Sequence, residues 1–378
     1  MQTDQSLLAQ LNKTLDFAAK QVRNTVEKYP GYFPMYTVGG KWKHSGEAWT
    51  NWCEGFLPGQ MWLIYERTGD KWFRAKAEEY SRHIEPRKDD RNVHDLGFLF
   101  FHGTYKRWYD TTVREGKPDA ALQQVVVHAG RTLAMRFKEK GQYLRSFISD
   151  ESLFIDIMMN VPVIFYAAMQ AGDKDLYRVA MQHCLTSRRY LVRGDGSTSH
   201  EGIFDLQTGE FLRQTTHQGY RGDSCWSRGL TWALYGFGTV YTQTQDARFL
   251  QAAEACADFY MSHTPETGVP PWDYDAPAES RRQPDSSAAA IAAMGLWQLS
   301  KISGDCIRRR VYRQYAITIL KNLMTDEYLA INTSGWEGIL KRGVYHIHKR
   351  LGVDESVMWG EYFFVEAVCT VLKELGNG

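Results

Sequence analysis

One aspartate stands alone inside an apolar run, Leu153-Phe154-Ile155-Asp156-Ile157-Met158-Met159-Asn160. Burial penalises an ionised carboxylate, so such a group stays protonated toward neutrality and suits general-acid chemistry, although a place at a helix start pulls the other way. Asn160 follows one turn later on the same face, where it could orient that carboxyl. A second acid, Asp95, follows His94 and precedes Leu96-Gly97-Phe98, again at the mouth of an apolar stretch. Capping its own helix is the alternative role for either acid. Two carboxyls that face one cavity are the equipment of glycoside chemistry.

Other informative side chains sit at the starts of apolar stretches: Trp49 and Trp52, His200, His217-Gln218, Trp226 with Arg228, and Trp359-Gly360-Glu361. Indole rings stack on the flat faces of sugars, and imidazole, amide and guanidinium groups hold hydroxyls or carboxylates. His200, His217 and His346 lie in separate segments without the H-x-x-x-H spacing of a metal site, so they read as hydrogen-bonding imidazoles. Neither phosphate-cradling glycine motif, G-x-x-x-x-G-K-[ST] or G-x-G-x-x-G, occurs, which disfavours nucleotide enzymes. The stretch 342–350 carries Arg342, Lys349, Arg350 and two histidines. Lys349 and Arg350 there would favour a second sugar bearing sulfate or carboxylate; the alternative is a solvated surface run.

The elements that must position these groups form a repeat. An apolar stretch at 55–68 ends at Gly69-Asp70 and is followed by an amphipathic one, and the phrase returns at 154–171 with Gly172-Asp173, at 230–241 with Gln245-Asp246 and at 288–302 with Gly304-Asp305. Each glycine suits a helix C′ position and each aspartate an N-cap. Less regular apolar helices are predicted at 96–109, partnered by 120–138, and at 357–375, which the amphipathic helix 6–28 could join to close a ring. Six apolar and six amphipathic helices predict an all-α fold, the (α/α)6 toroid, as a single domain over residues 1–378; an open solenoid is the alternative. Pro162 should kink its helix, and a hairpin is expected over 202–213 with Gly209 at its turn.

Composition narrows the class. The 378 residues carry 45 Lys+Arg against 44 Asp+Glu, a net charge of +1, which argues against a nucleic-acid partner that needs a basic face. Mean hydropathy is −0.45 and no apolar run approaches the roughly 18 residues that span a bilayer, so no membrane is expected as a partner. Six dispersed cysteines form no C-x-x-C pair, and Met1-Gln2-Thr3-Asp4-Gln5-Ser6 has no basic and apolar signal pattern. A cytoplasmic protein with reduced thiols is the expectation, as a monomer or a homodimer.

At these residues the chain resembles the unsaturated glucuronyl hydrolases of glycoside hydrolase family 88. The likeness runs through Trp52-Cys53-Glu54-Gly55-Phe56, His94-Asp95-Leu96-Gly97-Phe98, Ser187-Arg188-Arg189-Tyr190-Leu191-Val192-Arg193-Gly194-Asp195, Thr216-His217-Gln218-Gly219 and Trp359-Gly360-Glu361-Tyr362. It implies the (α/α)6 fold and no metal or organic cofactor. It also implies Asp156 as general acid/base, Asp95 as a second essential acid, and sugar-binding positions at Trp52, His94, His200, Gln218, Trp226, Arg228, Trp232 and Tyr345. Glu361 departs from the family's Trp-Gly-Asp-Tyr. The implied substrate is an oligosaccharide with a 4,5-unsaturated uronic acid at its non-reducing end, left by a polysaccharide lyase and hydrated at its vinyl ether. An unsaturated rhamnogalacturonyl hydrolase acting on pectin fragments and a non-catalytic sugar-binding toroid are the alternatives.

Overall fold

The computed structural model describes residues 5–43 and 52–376; Trp49 lies outside them. The helices are α1 (Gln5–Lys28), α2 (Phe56–Thr68), α3 (Lys71–Ile84), α4 (Tyr105–Arg114), α5 (Ala120–Ala134), α6 (Ile157–Asn160), α7 (Pro162–Ala171), α8 (Lys174–Leu191), α9 (Ser227–Thr244), α10 (Ala247–His263), α11 (Ala278–Arg281), α12 (Ser286–Ile302), α13 (Cys306–Leu323) and α14 (Met358–Leu375). A π-helical stretch, Gly97–Gly103, leads into α4.

An inner ring runs α2, the π-helical stretch with α4, α6 with α7, α9, α12 and α14, each packed on the next, and α14 closes on α2. Outside them α3 packs on α2, α5 on α4 and α7, α8 on α7, α10 on α9, α13 on α12, and α1 on α14. This is the (α/α)6 toroid that the repeat predicts. The two layers differ as their sequences require. Inner α12 is buried without interruption from Ser286 to Trp297, whereas outer α3 buries Phe73, Ala77, Tyr80 and Ile84, one stripe at helical spacing.

The junction signals are used almost as predicted. Asp70, Asp173, Asp246 and Asp305 each cap the outer helix that follows by accepting backbone N–H groups, as from Trp72 at α3 and Leu176 at α8. Gly69 and Gly172 end their helices in the left-handed region, at φ 72° and 63°. Gln245 takes that conformation at the third junction. At the fourth, Ser303 ends α12 in extended backbone, and Gly304, unlike Gly69 and Gly172, does not take the left-handed conformation of a C′ glycine.

Two inner helices are less continuous than predicted. The 96–109 helix is π-helical at first and breaks at Thr104, with φ −124° and ψ −90°. The 154–171 helix is interrupted by Pro162, which begins α7, and residue 154 belongs to a strand. Both departures occur where these segments meet. A Cβ on Gly97 would lie 2.4 Å from Cα of Asn160, so a side chain there would force the two segments apart. The Oδ1 atom of Asn160 accepts the Phe98 N–H at 2.8 Å across the same contact.

Short strands trim one end of the ring: β1 (Thr37–Val38) with β2 (Lys41–Trp42), β3 (Phe137–Lys138) with β4 (Tyr143–Leu144), β5 (Ser152–Phe154), β6 (Glu201–Phe204) and β7 (Phe211–Thr215) in one sheet, and β8 (Gly343–His346) with β9 (Leu351–Glu355). The expected hairpin is β6–β7, with Gly209 at φ 80° in its turn. It gains β5 as a third strand, and the register Phe154 opposite Glu201 brings His200 out beside Asp156.

Candidate active site

The starts of the inner helices and the β8–β9 hairpin surround a cleft of about 120 Å3 that opens to solvent. Asp95 and Asp156 line it together with His94, His217, Gln218 and Arg228. Trp52, Trp232, Tyr345 and Lys349 complete the predicted residues on its wall.

The two acids are held alike. Asp156 immediately precedes α6, yet its carboxyl makes no capping hydrogen bond, and Oδ1 is buried without a hydrogen-bond partner among the described residues. Burial pushes its pKa up to about 7, against the opposing pull of the Arg228 guanidinium. Burial and the neighbouring Asp156 charge push Asp95 up to about 8. The helix-cap alternative for Asp156 is therefore not realised.

A histidine faces each carboxyl. His94 Nδ1 accepts the Phe147 N–H at 3.1 Å, which places the ring proton on Nε2, 3.4 Å from Asp95 Oδ1. His200 Nδ1 accepts the N–H groups of His217 at 3.0 Å and Gln218 at 3.2 Å, so its Nε2 proton faces Asp156 Oδ1 at 3.8 Å. Burial holds both imidazoles well below their usual pKa, hence neutral. Each ring is a fixed donor aimed at a carboxyl.

Arg228 ties the wall together. Its guanidinium lies over the Trp226 ring at 4.4 Å and the Trp359 ring at 5.0 Å. It donates to the backbone oxygens of Val344 and Tyr345 and to Gln218 Oε1. That last bond orients the amide and leaves the Gln218 NH2 available as a donor. Aromatic rings build the remaining wall: Trp52 packs 4.8 Å from Trp359, Tyr345 5.2 Å from Trp359, and Trp232 5.0 Å from Phe98.

Several sequence expectations need correction. His200 does not line the cleft; it is 2% exposed and reaches Asp156 from behind. Trp226 is buried beneath Arg228 and serves as its platform. Arg350 is exposed at the hairpin turn and is not part of the wall. Asn160 does not hold the Asp156 carboxyl; its Nδ2 donates to the Asp156 backbone oxygen. Trp359 backs Trp52, and Glu361 is buried away from the cleft, where it accepts the Ile339 and Leu340 N–H groups. Phe147, His346 and Leu351 line the cleft and were missed as such. His346 and Leu351 flank Lys349 in the hairpin and were within reach of that reading; Phe147, in an aperiodic loop, gave no signal.

Residues 25–242 match Glycosyl Hydrolase Family 88. An unsaturated glucuronyl hydrolase of Bacillus sp. (strain GL1) is 31% identical over 353 residues, covering 91% of this chain and 92% of its own. An unsaturated chondroitin disaccharide hydrolase of Streptococcus pyogenes serotype M1 is 29% identical, covering 98% of this chain and 94% of its own. The crystal structure of an unsaturated glucuronyl hydrolase specific for heparin superposes with a TM-score of 0.89 at 29% identity and covers 98% of both chains.

Proposed function

Because the chain belongs to glycosyl hydrolase family 88, we propose that it releases 4,5-unsaturated uronic acid from the non-reducing end of lyase-generated glycosaminoglycan or related oligosaccharides. The observation that carries this reading is the pair of buried carboxyls with raised pKa in one aromatic-lined cleft, each faced by a neutral histidine.

In the proposed reaction Asp156 gives its proton to C4 of the vinyl ether, and positive charge develops at C5 and the ring oxygen. Water adds at C5 and returns a proton to the Asp156 carboxylate. The resulting hemiketal opens and frees the second sugar. A carboxyl with a pKa near the working pH is suited to both transfers. Asp95 and the Gln218 NH2 hold the uronate, and the indole and phenol rings of Trp52, Trp232 and Tyr345 pack on sugar faces.

The experiment that tests the function follows the loss of unsaturated-uronate absorbance with disaccharides from chondroitin, hyaluronan, heparin, gellan and pectin. Turnover of a glycosaminoglycan or gellan product is expected. Turnover of pectin fragments alone would favour the rhamnogalacturonyl alternative, and none at all would favour a sugar-binding toroid.

Two further outcomes are expected. Since Asp156 must be protonated to act and its pKa lies near 7, kcat/KM should fall as the pH rises through about 7. A profile flat from about pH 6 to 9 would exclude this acid. Lys349 is exposed on the cleft wall, so Lys349→Ala should lower the specificity ratio of sulfated over unsulfated disaccharides by about 3–10-fold, whereas Arg350→Ala should leave it unchanged. An unchanged ratio in Lys349→Ala would show that the hairpin does not select substrate.

The whole of residues 1–378 is proposed to act as one catalytic unit in the cytoplasm, without a cofactor. Buried free thiols at Cys184, Cys225, Cys256 and Cys369 support a reducing compartment. Among the described residues no helix is long and apolar enough to cross a membrane.

A further inference from the structure

Asp285 lies behind the cleft, and the acid–base scheme gives it no part. Its carboxylate and the Arg228 guanidinium are 0% and 1% exposed, with Oδ2 3.7 Å from Nη1. Burial pushes the Asp285 pKa above the usual carboxylate value, and the Arg228 charge opposes it together with three donors to Oδ1: the Ser287 N–H at 3.0 Å, the Ser287 hydroxyl at 2.6 Å and the Val344 N–H at 3.2 Å. Oδ2 makes no hydrogen bond among the described residues and faces the cation.

Arg228 is needed in place, because it fastens Gln218 and the β8–β9 hairpin to α9. Its contacts to carbonyl oxygens, an amide and two indole rings hold the guanidinium without cancelling its charge. That charge favours ionisation of Asp156 on the same wall. The other titratable groups facing Asp156 are neutral His200 from the start of β6 and Asp95 from the start of the π-helical stretch. Those around Asp285 are Arg228 and the Tyr260 phenol of α10.

We propose that Asp285 is a positioning residue for proton transfer: a buried counter-charge that offsets Arg228, so that the cation which builds the wall does not strip the proton from Asp156. The proposal rests on Asp156 being the proton donor. Removing the negative charge leaves Arg228 uncompensated, which stabilises the Asp156 carboxylate and lowers the pH at which it titrates.

The test is Asp285→Asn, which keeps an N-cap oxygen on α12, beside Ser287→Ala, which removes one of the three donors to Oδ1 and leaves the carboxyl opposite Arg228. Two readouts are taken on the full chain: the pH dependence of kcat/KM, and an infrared titration of the Asp156 carboxyl, isolated by difference with Asp156→Asn. In Asp285→Asn both transitions should move down by about 0.5–1 pH unit. In Ser287→Ala, where Arg228 and two donors still favour the carboxylate, both should move by less than half as much, although thermal stability falls. Unmoved transitions in a folded Asp285→Asn protein would overturn the proposal and leave Asp285 as a helix cap.

Should Asp285→Asn not fold, the wild type is compared with Asp285→Asn/Arg228→Gln, in which neither charge is stranded. Because the two charges cancel at Asp156, the infrared transition should lie within about 0.3 pH unit of the wild type, and a rise of about 0.5 unit or more, the sign of an Arg228 charge that Asp285 had not offset, overturns the proposal. If the wild type turns over no unsaturated disaccharide, the functional reading fails, and the infrared arm still decides the role of Asp285.

Discussion

Asp156→Asn is expected to lower kcat by about 10²–10⁴-fold, the range that a positioned acid contributes. The substitution keeps shape and removes the proton donor. Its structural cost is small, since the carboxyl caps no helix and Oδ1 has no hydrogen-bond partner among the described residues. Stability gives an independent check. A carboxyl whose pKa is raised on folding binds more protons in the folded state, so stability falls as pH rises from the unfolded value near 4 toward about 7. Asp156→Asn should therefore melt at a higher temperature than the wild type near pH 8 and at about the same temperature near pH 4. Full turnover in this variant would remove Asp156 from the mechanism.

Asp95→Asn is the second large effect, a loss in kcat of about 10²-fold or more with a small change in melting temperature. Asp95 is 4% exposed, lies 3.4 Å from His94 Nε2 and shares the cleft with Asp156. An amide in its place can take no negative charge as positive charge develops at C5. A sharp fall in melting temperature with activity per folded molecule retained would instead make Asp95 a structural residue.

The main outline was legible because it is local. Asp70, Asp173, Asp246 and Asp305 announce the outer helices one turn at a time, and an acid between Ile155 and Ile157 is visible without any tertiary knowledge. What escaped depends on contacts distant in sequence. His200 reads as a wall residue until the pairing of β5 with β6 places it behind Asp156. Trp226 reads as a sugar platform until Arg228 is seen to occupy its face. The π-helical start of the second inner element follows from its close approach to Asn160 at Gly97, which no periodicity in 96–109 encodes. Nothing local in the sequence singles out Asp285, because the cation opposite it comes from α9.

The central claim is that protonation occurs at C4 of an unsaturated uronate, and reaction in D2O tests it most directly. NMR of the products at early times should show one deuterium at C4 and loss of the C4=C5 double bond at the same rate as release of the second sugar. Release of a sugar that still carries the C4=C5 double bond, with no deuterium at C4, would mean displacement at the anomeric carbon and would contradict the account.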